Sequence, residues 1–109
     1  HSIGDCELVL IRVENQNIQD LRNLVDQHKK DQHKQCVLIV SYQEEKVILV
    51  CGVTKDLETS LQANNIIQEV SQSIGGKGGG RSDFAQGAAE CNNIDDFLKS
   101  IPNIVQSLA

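Results

Sequence analysis

Tryptophan and methionine are absent from this chain of 109 residues, proline occurs once, and aromatics make up only 3% of it. A core must therefore be built from Leu, Ile and Val, and the length suits one globular domain, residues 1–109, with little room for a second. No run of about 18 apolar residues occurs, which excludes a membrane-spanning helix, and the stretch Leu8–Ile11 is too short, with no basic lead-in, to be a secretory leader. Cys-x-x-Cys pairs are missing as well. Cys6, Cys36, Cys51 and Cys91 stand apart, and Cys36 and Cys51 sit in apolar runs where a free cysteine behaves as a small buried hydrophobe. Neither a zinc site nor a disulfide framework is expected, and the pattern fits a reducing cytoplasm. His28 and His33 would lie about 140° apart around a helix, so they share no metal-binding face. Positive charge is also in deficit. A net charge of −5 argues against a nucleic-acid binder, because phosphate contacts supply most non-specific affinity, unless the cations are gathered in one place.

What is present reads as alternating strands and helices. Glu7–Glu14 is rich in β-branched residues and bounded by polar ones, which predicts a strand. Asn17 offers a helix N-cap with Asp20 three positions on, and Ile18, Leu21, Leu24, Val25 and His28 follow as one stripe. That helix should end near Lys30 or Asp31, where Lys29 and Lys30 complement its negative end. Cys36–Tyr42 and Lys46–Val53 are apolar runs separated only by Gln43, Glu44 and Glu45, which demands an antiparallel hairpin; their apolar character suggests strands covered on both faces or a sheet with helices packed on it. Thr54–Gln62 reads as a loop. Asn64 or Asn65 leads into a helix with the stripe Ile66, Ile67, Val70 and Ile74, closed by Gly75 as a left-handed cap. Ile94–Leu108 is a last helical stretch, with Pro102 expected to kink it or divide it in two. The fold class is α/β: a mixed central sheet of three or more strands with helices packed on it, in the order strand, helix, strand, strand, helix, glycine loop, helix.

One segment asks for its own explanation. Residues 75–89 read GGKGGGRSDFAQGAA, with glycine at five of the first six positions. Such a run costs backbone entropy. It lets successive N–H groups turn inward as an anion-binding nest. Lys77 and Arg81 add two cations, Arg81 with a fork suited to phosphate; the plainer alternative is a flexible surface loop with two solvated charges. Gly75–Ser82 is one substitution from a P-loop, with Arg81 where lysine is required, but it follows a helix instead of joining a strand to one. The dinucleotide fingerprint fails at Arg81. No catalytic group is evident: Ser82 has no histidine placed to activate it, and Asp95 and Asp96 suit a helix N-terminus. The basic cluster His28, Lys29, Lys30, His33, Lys34 is either a solvated helix end or a secondary phosphate contact.

The string GGKGGGRSDFAQG, Gly75–Gly87, resembles the glycine-rich signature near the C-terminus of alanyl-tRNA synthetases. Gly75, Gly76, Lys77, Gly78, Gly79, Gly80, Arg81, Asp83, Ala85, Gln86 and Gly87 match that signature. Ser82 replaces its proline, Phe84 its methionine, and Ala88 and Ala89 its common glycines. Val53–Leu57 and the order of elements are similar too. The resemblance implies a C-terminal module that binds the elbow of tRNA(Ala) and links aminoacylation to editing, joined to the rest of a synthetase chain. It implies contacts from Gly75–Arg81, Asp83 and Gln86; Lys29, Lys30 and Lys34, from the basic cluster, are the candidate secondary contacts. No catalytic or metal residue is implied here. ATP, magnesium and zinc belong to the parent, an alanine-tRNA ligase, and the module itself needs no cofactor. No long heptad run accompanies it, so a monomeric globular part is expected. Two alternatives stand beside this reading: the accessory domain of a DHH phosphoesterase, where the same domain type contacts a nucleotide through its triple glycine, and a protein-interaction domain that has lost RNA binding.

Overall fold

A computed structural model describes residues 2–3, 6–14, 16–30, 34–57 and 61–108. The strand read at Glu7–Glu14 is β2 (Cys6–Glu14), preceded by a two-residue β1 (Ser2–Ile3) that pairs with it antiparallel. Helix α1 (Ile18–Lys29) begins where expected: the Asn17 side chain accepts from the Asp20 N–H at 2.9 Å, satisfying one of the orphan amides of the first turn. Leu21 and Val25 are its buried residues, while His28 turns out to be exposed and drops out of the stripe.

The chain then returns as β3 (Gln35–Gln43), parallel to β2, so that β2, α1 and β3 form a crossover unit. β4 (Lys46–Val53) folds back antiparallel on β3, and Gln43 pairs with Lys46 across the short turn. Glu44 takes a φ of 58° there. A 3₁₀ turn, Lys55–Leu57, falls in the segment read as loop; His33 and residues 58–60 lie outside the described residues. Helix α2 spans Ala63–Gln72. Its N-cap position is Gln62, without a side-chain cap bond, instead of Asn64 or Asn65, which lie inside the first turn.

The glycine segment is the main departure from expectation. It is a β-hairpin, with β5 (Lys77–Gly80) and β6 (Phe84–Glu90) paired antiparallel. Helix α3 (Ile94–Leu108) follows as one helix that carries Pro102 within it. Asn93 accepts from the Asp96 N–H at 3.2 Å, and Asp95 and Asp96 occupy the first turn. Among the described residues the sheet has six strands in the order β1-β2-β3-β4-β6-β5, parallel only between β2 and β3.

Both faces of the central strands are covered. On one side α1 buries Leu21 and Val25 against Val37, Ile39 and Val50. On the other, α2 and α3 press Ile66, Ile67, Val70, Phe97, Ile101 and Val105 onto Leu38, Leu49 and Ala85. The double cover explains why β3 is buried at every position from Cys36 to Ser41. Because α1 lies over β3 and β4, the outer strands β6 and β5 extend past it on that side, with Gln86 and Ala88 exposed.

Candidate functional site

The hairpin takes its shape from glycines that serve different ends. Gly75 closes α2 with a φ of 77°. Its N–H donates to Gln72 C=O at 3.0 Å and the Gly76 N–H donates to Ser71 C=O at 2.8 Å, the paired bonds of a Schellman cap. At Gly78 a Cβ would stand 2.8 Å from Gly87 Cα and 2.9 Å from Gln86 O, and closer still to Ile67 Cγ2 of α2. Glycine there is a packing requirement, since the helix rests directly on the strand. Gly79 is the exception. A Cβ at this position would meet nothing within 4 Å.

Register shows which way Gly79 looks. It pairs with Gln86, which pairs with Val50, which pairs with Ile39, so all four share the side of the sheet that α1 covers further in. The strand is extended, so its amides cannot converge as the expected nest. Arg81 N–H donates to Phe84 C=O at 2.8 Å. The alternation of an antiparallel ladder then directs the Gly78 and Gly80 amides outward, along the free edge of β5.

Around Gly79 the side chains form a shallow groove of about 290 Å³, lined by Arg22, Gly79, Gly80, Arg81, Phe84, Ala85 and Gln86. Arg22 reaches down from α1, its guanidinium carbon 5.0 Å from the centroid of the Phe84 ring. Arg81 is 75% exposed and pairs with Asp83 at 3.4 Å, a geometry that leaves most of its fork accessible. Asp83 also anchors the turn, its carbonyl accepting from Val53 N–H at 3.1 Å. Arg22 is the residue that sequence reasoning missed; its spacing in α1 marks it only as a solvated helix position, and its partner Phe84 lies far along the chain.

The remaining candidates divide between two ends of the sheet. Lys34 leads into β3, Gln35 bonds with Thr54 beyond the end of β4, and Val53 bonds with Asp83, so Lys34 and Arg81 lie at one end. Lys30 caps α1 at that end, and the Lys29 side chain lies against Gly52. The main-chain N–H of Lys34 donates to Asp56. The basic helix end and the arginine side of the hairpin thus occupy the same rim. Lys77 does not join them. It starts β5 at the opposite end, exposed beside a cavity of about 850 Å³ that Lys46, Ile48, Ala88, Glu44 and Glu90 also border. That end carries the acidic turn Glu44–Glu45 and the Glu90 terminus of β6. Among the described residues no three His, Cys, Asp or Glu side chains gather as a metal site, and no helix is long and apolar enough to cross a membrane.

The site is thus an open glycine strand between Arg22 and Arg81, set at the edge of a mixed sheet built out from a βαβ unit. The chain belongs to the DHHA1 domain family, whose model matches residues 7–107. It is similar to the alanine–tRNA ligase of Francisella tularensis subsp. holarctica (strain OSU18), 36% identical over 95% of this chain. It is also similar to that of Pseudomonas syringae pv. syringae (strain B728a), 36% identical over 97% of this chain. It spans about 12% of the length of these relatives. Among solved structures, the C-Ala domain from Aquifex aeolicus alanyl-tRNA synthetase superposes with a TM-score of 0.87 at 31% identity, covering 97% of this chain and 96% of that one.

Proposed function

We propose that this domain is the C-terminal tRNA-binding module of an alanyl-tRNA synthetase, contacting the elbow of tRNA(Ala) through the β5–β6 hairpin. The parent enzyme attaches alanine to tRNA using ATP and edits mischarged tRNA; this module supplies binding, not chemistry, and keeps one tRNA in reach of both activities. The observation that carries the reading is Gly79: the one glycine of β5 with neither a neighbour nor a positive φ to require it, in the open between Arg22 and Arg81. A bare strand lets a sugar–phosphate chain approach the main chain, and the outward amides of Gly78 and Gly80 can donate to phosphate oxygens. Arg81 provides a fork for a phosphate. Lys29, Lys30 and Lys34 extend the cationic rim, and Lys77 contributes from the far end of the strand. The acidic remainder of the surface keeps isolated affinity low, about micromolar, and tethering to the synthetase makes such an affinity sufficient. The setting is cytoplasmic and the module monomeric.

Ribonuclease footprinting on tRNA(Ala) with the isolated domain tests this. Protection confined to the outer corner, where the two arms of the L meet, is expected. Protection of the acceptor end or anticodon with an unprotected corner would refute it.

A further inference from the structure

We infer that Arg22 and Phe84 form a stacking plate for a nucleobase, so that the groove over Gly79 receives a planar ring in addition to any phosphate held by Arg81. This deepens the reading of the hairpin as a nucleic-acid contact and rests on it. The argument begins with Phe84. In a chain with 3% aromatic residues, this ring sits at the start of β6, packed against the edge of the core that α1 buries and still left partly exposed. The Arg22 guanidinium lies over it at 5.0 Å, and among the described residues Arg22 has no carboxylate partner. Here the fork is held by an aromatic face, while Arg81 is held by the Asp83 carboxylate. Arg22 is exposed, so the side of its guanidinium away from the ring is open to a second planar partner, and arginine planes stack on bases as aromatic rings do.

The rest of the groove suits a base. Gly79 leaves clear space above the strand, enough that even a Cβ would touch nothing within 4 Å. Gln86, its cross-strand partner, is exposed on the same face with an amide that can both donate and accept at a base edge. The groove volume of about 290 Å³ admits one planar ring system, and Arg81 at its lip is placed for the adjoining phosphate. The ring could come from tRNA or from a free nucleotide, and the test separates these.

Amide resonances of Gly79 and Gln86 are followed while adenosine, guanosine and cytidine, which carry no phosphate, are titrated to millimolar concentration, with inorganic phosphate titrated separately. Nucleosides are expected to shift both resonances in the wild type. In Arg22→Lys, which keeps the charge and removes the plate, the shifts should vanish while the rest of the spectrum shows an intact fold. Unmoved resonances with nucleosides, or equal shifts in Arg22→Lys, would overturn the inference. The tRNA arm identifies the source. If the ring belongs to tRNA, Arg22→Lys loses roughly tenfold in tRNA affinity with an unchanged salt slope, as for a lost stack; unchanged tRNA affinity in Arg22→Lys, with the nucleoside shifts of the wild type lost in that variant, assigns the groove to a free nucleotide. Failure of the broader tRNA reading looks different: Arg81→Ala would then bind tRNA as the wild type does.

Discussion

Gly78 and Gly79 are adjacent, chemically identical, and predicted by composition alone to behave alike, yet the structure assigns them opposite tolerance to a methyl group. In Gly78→Ala the new Cβ meets Gly87 Cα at 2.8 Å and Gln86 O at 2.9 Å, with Ile67 Cγ2 also in the way. Two of these three atoms are main chain of the neighbouring strand, so no rotamer change relieves the clash; β5 must part from β6 or α2 must lift. Overpacking of this kind costs about 1–3 kcal/mol, and the main-chain contacts place Gly78→Ala in the upper half of that range. In Gly79→Ala the methyl meets nothing within 4 Å and the residue has no positive φ. Restricting the unfolded chain should then stabilise by about 0.4–1 kcal/mol. The two neighbours should differ by roughly 2–4 kcal/mol, or about 10 °C or more in Tm at the usual 4–8 °C per kcal/mol for a domain near this size. Urea denaturation followed by far-UV circular dichroism measures both. A Gly78→Ala variant as stable as the wild type, or a Gly79→Ala variant equally damaged, would refute the packing argument.

Two further expectations concern the turn and the core. Glu44→Gly should raise stability by about 0.5–1 kcal/mol in the same denaturation assay, because Glu44 holds a φ of 58° that costs an L-residue with a side chain; Glu44→Ala, which keeps the Cβ, should give no such gain. Cys36 and Cys51 are fully buried with their sulfurs 3.8 Å apart. The hydrogen bond shared with Cys36, which holds the Cys51 proton, and burial push the Cys51 thiol well above its ordinary 9.0. A raised acid pKa in the fold means that the stabilising contribution is complete below pH 9.0 and is lost as pH climbs from there toward the folded value. Wild type should therefore lose stability more steeply with rising pH than Cys51→Ala across that window, read by urea titration at stepped pH; parallel curves would contradict the assignment.

Most of the scaffold was legible in the sequence because its signals are local. The Asn17 cap, the apolar runs of β3 and β4 with three residues between them, and the span of α3 each rest on periodicity or end chemistry within a few residues. The hairpin β5–β6 was not legible as strands. Gly78, Gly79 and Gly80 carry no alternating pattern and glycine is depleted in strands, so the segment resembles a loop until Ile67 and Gly87 are seen pressing on it. The family was nonetheless readable, since the same glycines that obscure the strand make up its signature. The Arg22–Phe84 contact left no trace, being a meeting of distant residues, and the cap of α2 was misplaced because Gln62 makes no side-chain bond for a sequence to advertise.

Salt dependence of tRNA binding tests the central claim most directly. Lys77 and Arg81 are both exposed, so Lys77→Ala and Arg81→Ala should leave folding stability within about 0.5 kcal/mol of the wild type. Fluorescence anisotropy of labelled tRNA(Ala) at stepped salt should show weaker binding in the double variant, with the slope of log K against log salt reduced by about 0.7–0.9 for each contact removed. Gly79→Val should weaken binding at an unchanged slope, by filling the groove without altering charge. A double variant that binds with wild-type affinity and slope would contradict the assignment of the hairpin and move the contact to Lys29, Lys30 and Lys34.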